Sequence, residues 1–310
     1  MMKVNFSGIN LENPFFNASG PHCTTKEELD ILGRSKAAAI MTKSCTFEQR
    51  DGNPEPRYID MPHNSSINSM GLPNLGYKEY MKLIPELKIH NKPIFSSVSG
   101  MKLEENIQMI SELSDVKELD AIELNLSCPN VIGKPQVGYD FEQSVEVIDE
   151  VSKICKKSLG LKLPPYFDFV HFELMANIIN KTNVNFVTCI NSLGNGLVLD
   201  VAKEEVVIKP KGGFGGIGGK LIKPFGLANV RKFRELLKPE IQIIGVGGIF
   251  SGIDAFEYIL AGADMVQVGT ILKQEGPSAF QRLINELDIV MQAKGYSDLN
   301  SFRNKLKIME

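Results

Sequence analysis

Two hydrophobic rhythms alternate along this chain. Short runs that are apolar throughout or at every second position fall at 16–19, 39–44, 93–99, 121–127, 159–163, 185–190, 241–246 and 265–269 and read as strands. Between them, apolar residues recur at helical spacing over 26–32, 76–87, 104–113, 141–156, 169–179, 227–237, 254–261 and 277–293. Strand and helix thus alternate eight times, and no linker rich in Ser, Gly or Pro divides the series. This predicts an α/β fold closed into a (β/α)8 TIM barrel, one domain spanning residues 1–310. The competing open, doubly wound sheet would place a glycine-rich phosphate loop after its first strand, whereas the glycines here come late. Residues 3–16, turning at Ser7-Gly8 and Asn13-Pro14, predict a short N-terminal hairpin plugging one end of the barrel. The connections 45–75 and 192–225 are long and follow strand C-termini, where barrel sites are built, so both are expected to be active-site loops.

The strand at 121–127 ends as a candidate site. Ile122, Leu124 and Leu126 alternate with Glu123, Asn125 and Ser127, the pattern of a strand whose two faces meet different surroundings. Asn is disfavoured in strands, so Asn125 breaks a local rule, and such breaks tend to mark sites. Cys128 follows, held extended by Pro129. A buried cysteine in a strand-end turn is the structural alternative to a reactive thiol.

Composition narrows the partners. The net charge is −3 with 43% hydrophobic and 23% charged residues, so no basic excess points to nucleic acid or an anionic membrane surface. Five cysteines, odd in number and without a Cys-x-x-Cys pair, fit a reducing cytosol better than a disulfide framework. No run of 18 apolar residues occurs, so a soluble, cytoplasmic protein is expected. The histidines at 22, 63, 90 and 171 have no metal-ligand spacing, and no metal site is expected.

Three sets of residues carry candidate chemistry. Gly245-Val-Gly-Gly248 and Gly269-Thr270 follow the seventh and eighth strands, where barrels often bind phosphate through backbone N–H groups. The glycine run from Lys211 to Lys220 matches neither a dinucleotide fingerprint in the right context nor a Walker loop; it reads equally as a flexible surface loop or as close backbone approach to a ligand. Lys43 and Lys162 lie inside strand patterns, where a buried ammonium calls for an anion. An internal ion pair of Lys162 with Glu123 is the alternative. Asn68, Asn125, Asn130 and Asn191 sit in or just after strand ends; such amides match a planar ring that alternates C=O and N–H, as a pyrimidine dione does.

With these residues in view, the chain resembles the dihydroorotate dehydrogenases, and within them the soluble, fumarate-dependent class 1A enzymes. The resemblance runs through nearly the whole sequence. It rests on Asn17-Ala-Ser-Gly20, Thr42-Lys-Ser44, Asp51-Gly-Asn-Pro-Glu-Pro-Arg-Tyr58, Ser66-Ile-Asn-Ser-Met-Gly-Leu-Pro-Asn-Leu-Gly76, Glu123-Leu-Asn-Leu-Ser-Cys-Pro-Asn130, Lys162-Leu-Pro-Pro-Tyr-Phe-Asp168, Asn191-Ser192, Val207-Ile-Lys-Pro-Lys211, Gly215-Gly-Ile-Gly-Gly219 and Gly245-Val-Gly-Gly248. It implies an FMN-containing barrel, usually a homodimer, that oxidises dihydroorotate to orotate in pyrimidine synthesis. Other FMN barrels, of the dihydropyrimidine dehydrogenase or tRNA dihydrouridine synthase kind, are the nearest alternatives; a non-catalytic flavin- or phosphate-binding barrel is a third. The absence of a basic excess speaks against an RNA substrate.

Carried over by position, the resemblance makes Cys128 the general base. It makes Lys43, Asn68, Met70, Gly71, Leu72, Asn125, Asn130, Asn191 and Ser192 orotate contacts. Ala18, Ser19, Lys43, Ser44, Asn125, Lys162, Ile190, Gly219, Gly247, Gly248, Gly269 and Thr270 become FMN contacts. A cysteine base, with an ordinary pKa of about 8.5, implies activity that rises with pH. The segment 129–138, which follows the base, is expected to act as a lid. Fumarate is the acceptor the resemblance names; no amphipathic segment before the first barrel strand offers quinone docking, and no second dinucleotide site offers NAD. The chain departs from the family pattern at Phe225-Gly226, at Gly138 and in a loop one residue longer at His63-Asn64, leaving the proposed chemical groups in place.

Overall fold

The computed structural model describes residues 2–127 and 136–309. In chain order, β1 (Val4–Phe6) and β2 (Ile9–Leu11) form an antiparallel hairpin, followed by β3 (Phe15–Asn17), α1 (Lys26–Arg34) and β4 (Ile40–Met41). β5 (Tyr58–Met61) and β6 (Ser65–Asn68) come next, then α2 (Tyr77–Leu87), β7 (Ile94–Val98), α3 (Leu103–Ser114), β8 (Ala121–Asn125) and α4 (Phe141–Ile154). The second half carries β9 (Ser158–Leu163), α5 (Phe169–Ile179), β10 (Phe186–Cys189), β11 (Leu193–Gly196), β12 (Leu199–Asp200), β13 (Glu205–Val206) and β14 (Gly215–Gly219). It ends with α6 (Lys223–Leu236), β15 (Gln242–Val246), α7 (Gly252–Ala261), β16 (Met265–Val268), α8 (Thr270–Glu275) and α9 (Ala279–Ala293).

Eight parallel strands pair in the order β3-β16-β15-β10-β9-β8-β7-β4. The two ends of that order meet, so the sheet is a (β/α)8 barrel, as the alternation predicts. A side chain performs much of the closure. The fully buried Asn17 amide donates to Met41 O at 2.7 Å and accepts from Met41 N at 2.9 Å, while Ala38 N reaches Phe15 O at 2.8 Å. One amide thus replaces two ladder bonds where β3 and β4 diverge.

The N-terminal hairpin plugs the bottom, as expected. Phe6 is fully buried, with its ring centroid 5.1 Å from Phe186 and 6.3 Å from Phe95, and Ser7 N donates to the Gln242 side chain. Burying one such ring is worth about 1.5–3 kcal/mol. Helix starts follow the sequence: Thr25 and Glu28 form a capping box on α1, and Asp140 and Ser251 cap α4 and α7.

Several boundaries differ from expectation. β4 ends at Met41, so Lys43 lies just beyond the strand rather than inside it. α6 begins at Lys223 rather than at 227, because Pro224 is tolerated in a first helical turn, and Phe225 and Gly226 are therefore helical. The predicted helix 277–293 is α9, beginning at Ala279, and a short helix that the pattern did not announce, α8, precedes it across Gly276-Pro277. The largest difference is a second sheet. The two long connections pair with each other as a four-stranded antiparallel sheet in the order β11-β14-β6-β5. Among the described residues no helix is long and apolar enough to cross a membrane.

Asn17→Ala leaves Met41 N and O buried without partners, and we expect it to lower unfolding free energy by roughly 2–4 kcal/mol. Urea denaturation measures this. An unchanged midpoint would show that the barrel closes without the amide.

Candidate active site

The C-terminal ends of the barrel strands open into a cavity of about 1060 Å³, at or beyond the top of the ordinary range for small-molecule sites. β8 supplies its floor. Glu123 and Asn125 point into the barrel, where Glu123 meets side chains from β10, β16 and the segment after β3. Ile122 and Leu124 are buried as well, so both faces of the strand are covered and the alternation separates a polar interior from an apolar exterior.

Lys162 on β9 lies beside Asn125, whereas Glu123 lies beside Gly160. The sequence alternative of a Lys162–Glu123 ion pair is therefore incorrect: no such contact exists within 4 Å, because the register puts Lys162 two residues nearer the mouth. Lys162 is 5% exposed and makes no ion pair or hydrogen bond among the described residues. Lys43 is 8% exposed, and its Nζ donates to Gly20 O at 2.9 Å. Burial lowers its pKa, and the nearby Lys162 ammonium adds to that shift, against the opposing pull of Glu28. Burial likewise pushes the Cys23 thiol up to about 12, so it stays protonated at neutral pH.

Amides line the same space. Asn191 follows β10, with its N–H on Leu163 O at 2.9 Å, and its Nδ2 reaches Asn125 Oδ1 at 3.4 Å. Asn68 ends β6, where its Nδ2 donates to Gly216 O at 3.2 Å and its side-chain carbonyl has no partner among the described residues. Met70, Gly71, Leu72 and Ser192 border this part of the cavity. Ala18, Ser19, Ser44, Ile190, Gly247, Gly248, Gly269 and Thr270 line it from the strand ends. Gly219 and Gly248 approach closely: both have positive φ, and a Cβ on Gly248 would lie 2.8 Å from Gly219 O.

Every orotate or FMN contact named from the sequence that falls among the described residues lies on this cavity. Cys128 and Asn130 fall outside the described residues, as does most of the expected lid at 129–138. The residues either side, Ser127 and Gln136, both line the cavity.

The glycine run resolves into β14, a strand rather than a surface loop. It packs closely on the protein, with a Cβ on Gly216 falling 2.4 Å from Ser192 Oγ and one on Gly219 falling 2.2 Å from Asn64 O, and Gly215, Gly216, Gly218 and Gly219 also line the cavity. Charge around the cavity is one-sided: Lys43, Arg50, Arg57, Lys162, Lys211 and Lys273 line it against Glu28 and Glu55. Such a site selects anions.

The family model described as dihydroorotate dehydrogenase matches residues 1–291. The chain belongs to the dihydroorotate dehydrogenase family. It is 53% identical over 308 residues to dihydroorotate dehydrogenase (fumarate) of Lachancea kluyveri, with 98% of each chain covered. It is 52% identical over 310 residues to dihydroorotate dehydrogenase A (fumarate) of Lactococcus lactis, with 99% of each covered. The protein of that fumarate type from Saccharomyces cerevisiae is 53% identical over 309 residues, with 98% of each covered.

Beyond the positions named from the sequence, this member of the dihydroorotate dehydrogenase family adds Arg50, Asn53, Arg57, Lys273 and Gln267 to the cavity wall. Arg50, Asn53 and Arg57 lie in the long connection already expected to build the site, and Gln267 is the polar residue in an otherwise apolar Met-Val-Gln-Val strand. That break in pattern was its available signal.

The lowered Lys43 pKa gives a signed pH dependence. A carboxylate seated beside Lys43 raises its pKa again, so binding between the two values takes up a proton, and affinity falls as pH rises through the ligand-free value. Calorimetric titration with orotate in two buffers of different ionisation heat checks this. Identical heats at a pH within the window would exclude Lys43.

Proposed function

We propose that this chain oxidises dihydroorotate to orotate, with FMN as its bound cofactor and fumarate as electron acceptor, and that it works as a homodimer. One observation carries the reading: buried Lys43 and Lys162, with no carboxylate partner among the described residues, share one cavity with the neutral amides of Asn68, Asn125 and Asn191. An anionic pyrimidine and an electron-accepting ring together match that donor set. The names of the relatives agree with it.

The residues fit a flavin. Lys162 is a buried cation in want of a negative partner, and the Gly219–Gly248 approach brings bare backbone to the cavity wall, where a phosphate can meet N–H groups. When bound, FMN supplies a ring that takes up two electrons. Around it, the amides fix the pyrimidine by pairing each C=O with an N–H and each N–H with a C=O. Lys43 holds the substrate carboxylate and Lys162 keeps positive charge where electron density gathers. Cys128, next to the cavity-lining Ser127, accepts the ring proton. Dihydroorotate and fumarate give orotate and succinate, which balances two electrons and two protons. The cationic lining lets a dicarboxylate use the site that orotate leaves, which implies ping-pong kinetics and mutual competition.

Pairing of two chains is supported by apolar side chains left exposed at Phe167, Phe169, Val170 and Phe225, with the Phe167 and Phe225 rings 5.7 Å apart. Sedimentation should give the mass of two chains. A single-chain mass at micromolar concentration would remove the pair.

The decisive experiment is anaerobic mixing of the purified yellow protein with dihydroorotate, then with fumarate. Flavin absorbance should bleach and return. Cys128→Ala should keep orotate binding and slow bleaching by about 10² to 10⁴, the range for a lost general base. Absence of bleaching in the wild type would sink the whole reading, and wild-type rates in Cys128→Ala would remove the cysteine alone.

A further inference from the structure

Below the cavity lies a carboxylate to which the function just proposed gives no task. Glu123 is fully buried and accepts from Ser19 Oγ at 3.2 Å, Thr188 Oγ1 at 2.8 Å and Gln267 Nε2 at 3.3 Å. No cation lies within ion-pairing distance of it among the described residues. All three partners can donate to it and none has to accept from it, so it serves as an acceptor.

A hydroxyl has one proton, so this terminus orders everything above it. Ser19 gives its proton to Glu123 and must accept at 3.2 Å from Ser44. Ser44, its proton spent, accepts from Ser97 at 2.9 Å and from Asn125 Nδ2 at 3.5 Å. Asn125 therefore turns its carbonyl to Ser127 N at 3.0 Å and to Asn191 Nδ2 at 3.4 Å. On the other side, Gln267 must turn its amide nitrogen to Glu123. Its Oε1 is left buried with no partner among the described residues, on a residue that lines the cavity. An unsatisfied buried acceptor is costly, and a ligand N–H would satisfy it.

We propose that Glu123 is a positioning residue: as the acceptor on which the hydrogen bonds of the cavity floor converge, it fixes which way Gln267, Asn125 and Asn191 present their amides to the bound rings. The proposal rests on the flavin–pyrimidine reading only for the identity of those rings. Glu123→Gln keeps size and shape but puts an NH2 either where Oε2 was, facing Gln267 and Thr188, or where Oε1 was, facing Ser19. In the first arrangement Gln267 flips and presents N–H where the native cavity presents C=O; in the second Ser19 accepts from the new amide and its proton turns to Ser44, reversing the chain that orients Asn125. The exchange Glu123→Gln with Gln267→Glu undoes this, since the amide then on β8 donates to the carboxylate then on β16, and an acceptor again faces the cavity.

The test is the flavin dissociation constant of the stripped protein, with a melting curve as a check on folding. A reversed hydrogen bond should raise the constant about tenfold in Glu123→Gln, and the exchange should restore it to within about threefold. Unchanged flavin affinity in Glu123→Gln, with only a lower melting temperature, would overturn the proposal by making Glu123 structural. So would an exchange variant as weak as the single one. If Glu123→Gln does not fold, the exchange variant decides alone: affinity near wild type supports the proposal, and a loss of about tenfold overturns it. A wild type that takes up no flavin would instead remove the function on which the rings' identity rests.

Discussion

Among the described residues, two lysines and one glutamate are buried inside this barrel without an opposite charge at pairing distance, and the architecture of the site follows from that constraint. Glu123 is held by three neutral donors, Lys43 by one backbone carbonyl, and Lys162 by nothing among the described residues. A barrel needing only to fold would fill the same positions with Val, Ile and Leu. Burying an unpaired ammonium works against stability, so the cavity is pre-strained towards an anion. The order matters: the carboxylate sits lowest and the ammonium of Lys162 two residues higher, so the positive charge stays available to a ligand instead of being quenched from below.

The two ends of the barrel divide the labour. At the N-terminal end Phe6, Phe95 and Phe186 make a dry, close-packed plug that supplies hydrophobic stabilisation. At the other end the strands finish in Ser, Asn and Gly. Asn17 stands between the two regimes, since the amide that closes the barrel is followed at once by Ala18 and Ser19 at the cavity. Closure and site geometry are thus set by one short segment, and a shift of β3 would move both.

The barrel was legible in the sequence because its elements are local: strand and helix periods repeat, and their order alone implies closure. The hairpin plug and the strand-end site were legible on the same terms. The second sheet was not. Gly215–Gly219 has almost no strand propensity, and its partner Ser65–Asn68 lies far away in sequence, so no local pattern announces the pairing. The glycines serve that pairing, letting β14 pass under Ser192 and Asn64 without room for a Cβ. The Lys162–Glu123 pair was misread for a related reason. Alternation gives the face each residue points to, whereas the register between β8 and β9, which sets their height, is a property of two strands together. The cavity positions themselves came largely through the family resemblance, with Arg50, Asn53, Arg57, Lys273 and Gln267 added by the structure.

The charge of the whole chain points the opposite way from the charge of its cavity. A net −3 protein presents six Lys and Arg side chains and two carboxylates along one opening. Bulk repulsion of an anion is weak beyond a Debye length of about 8 Å at physiological ionic strength, while the field inside a concave, low-dielectric wall is screened much less. The negative surface therefore costs an approaching dianion little, and the mouth gathers it at short range. Arg50, Lys211 and Lys273, set in the two long connections and on α8, lie on the outer path, and the buried Lys43 and Lys162 lie at its end. The long connections and α8 thus carry the outer cations and the barrel the inner ones, which is why a cavity of this kind needs both long connections and not the barrel alone.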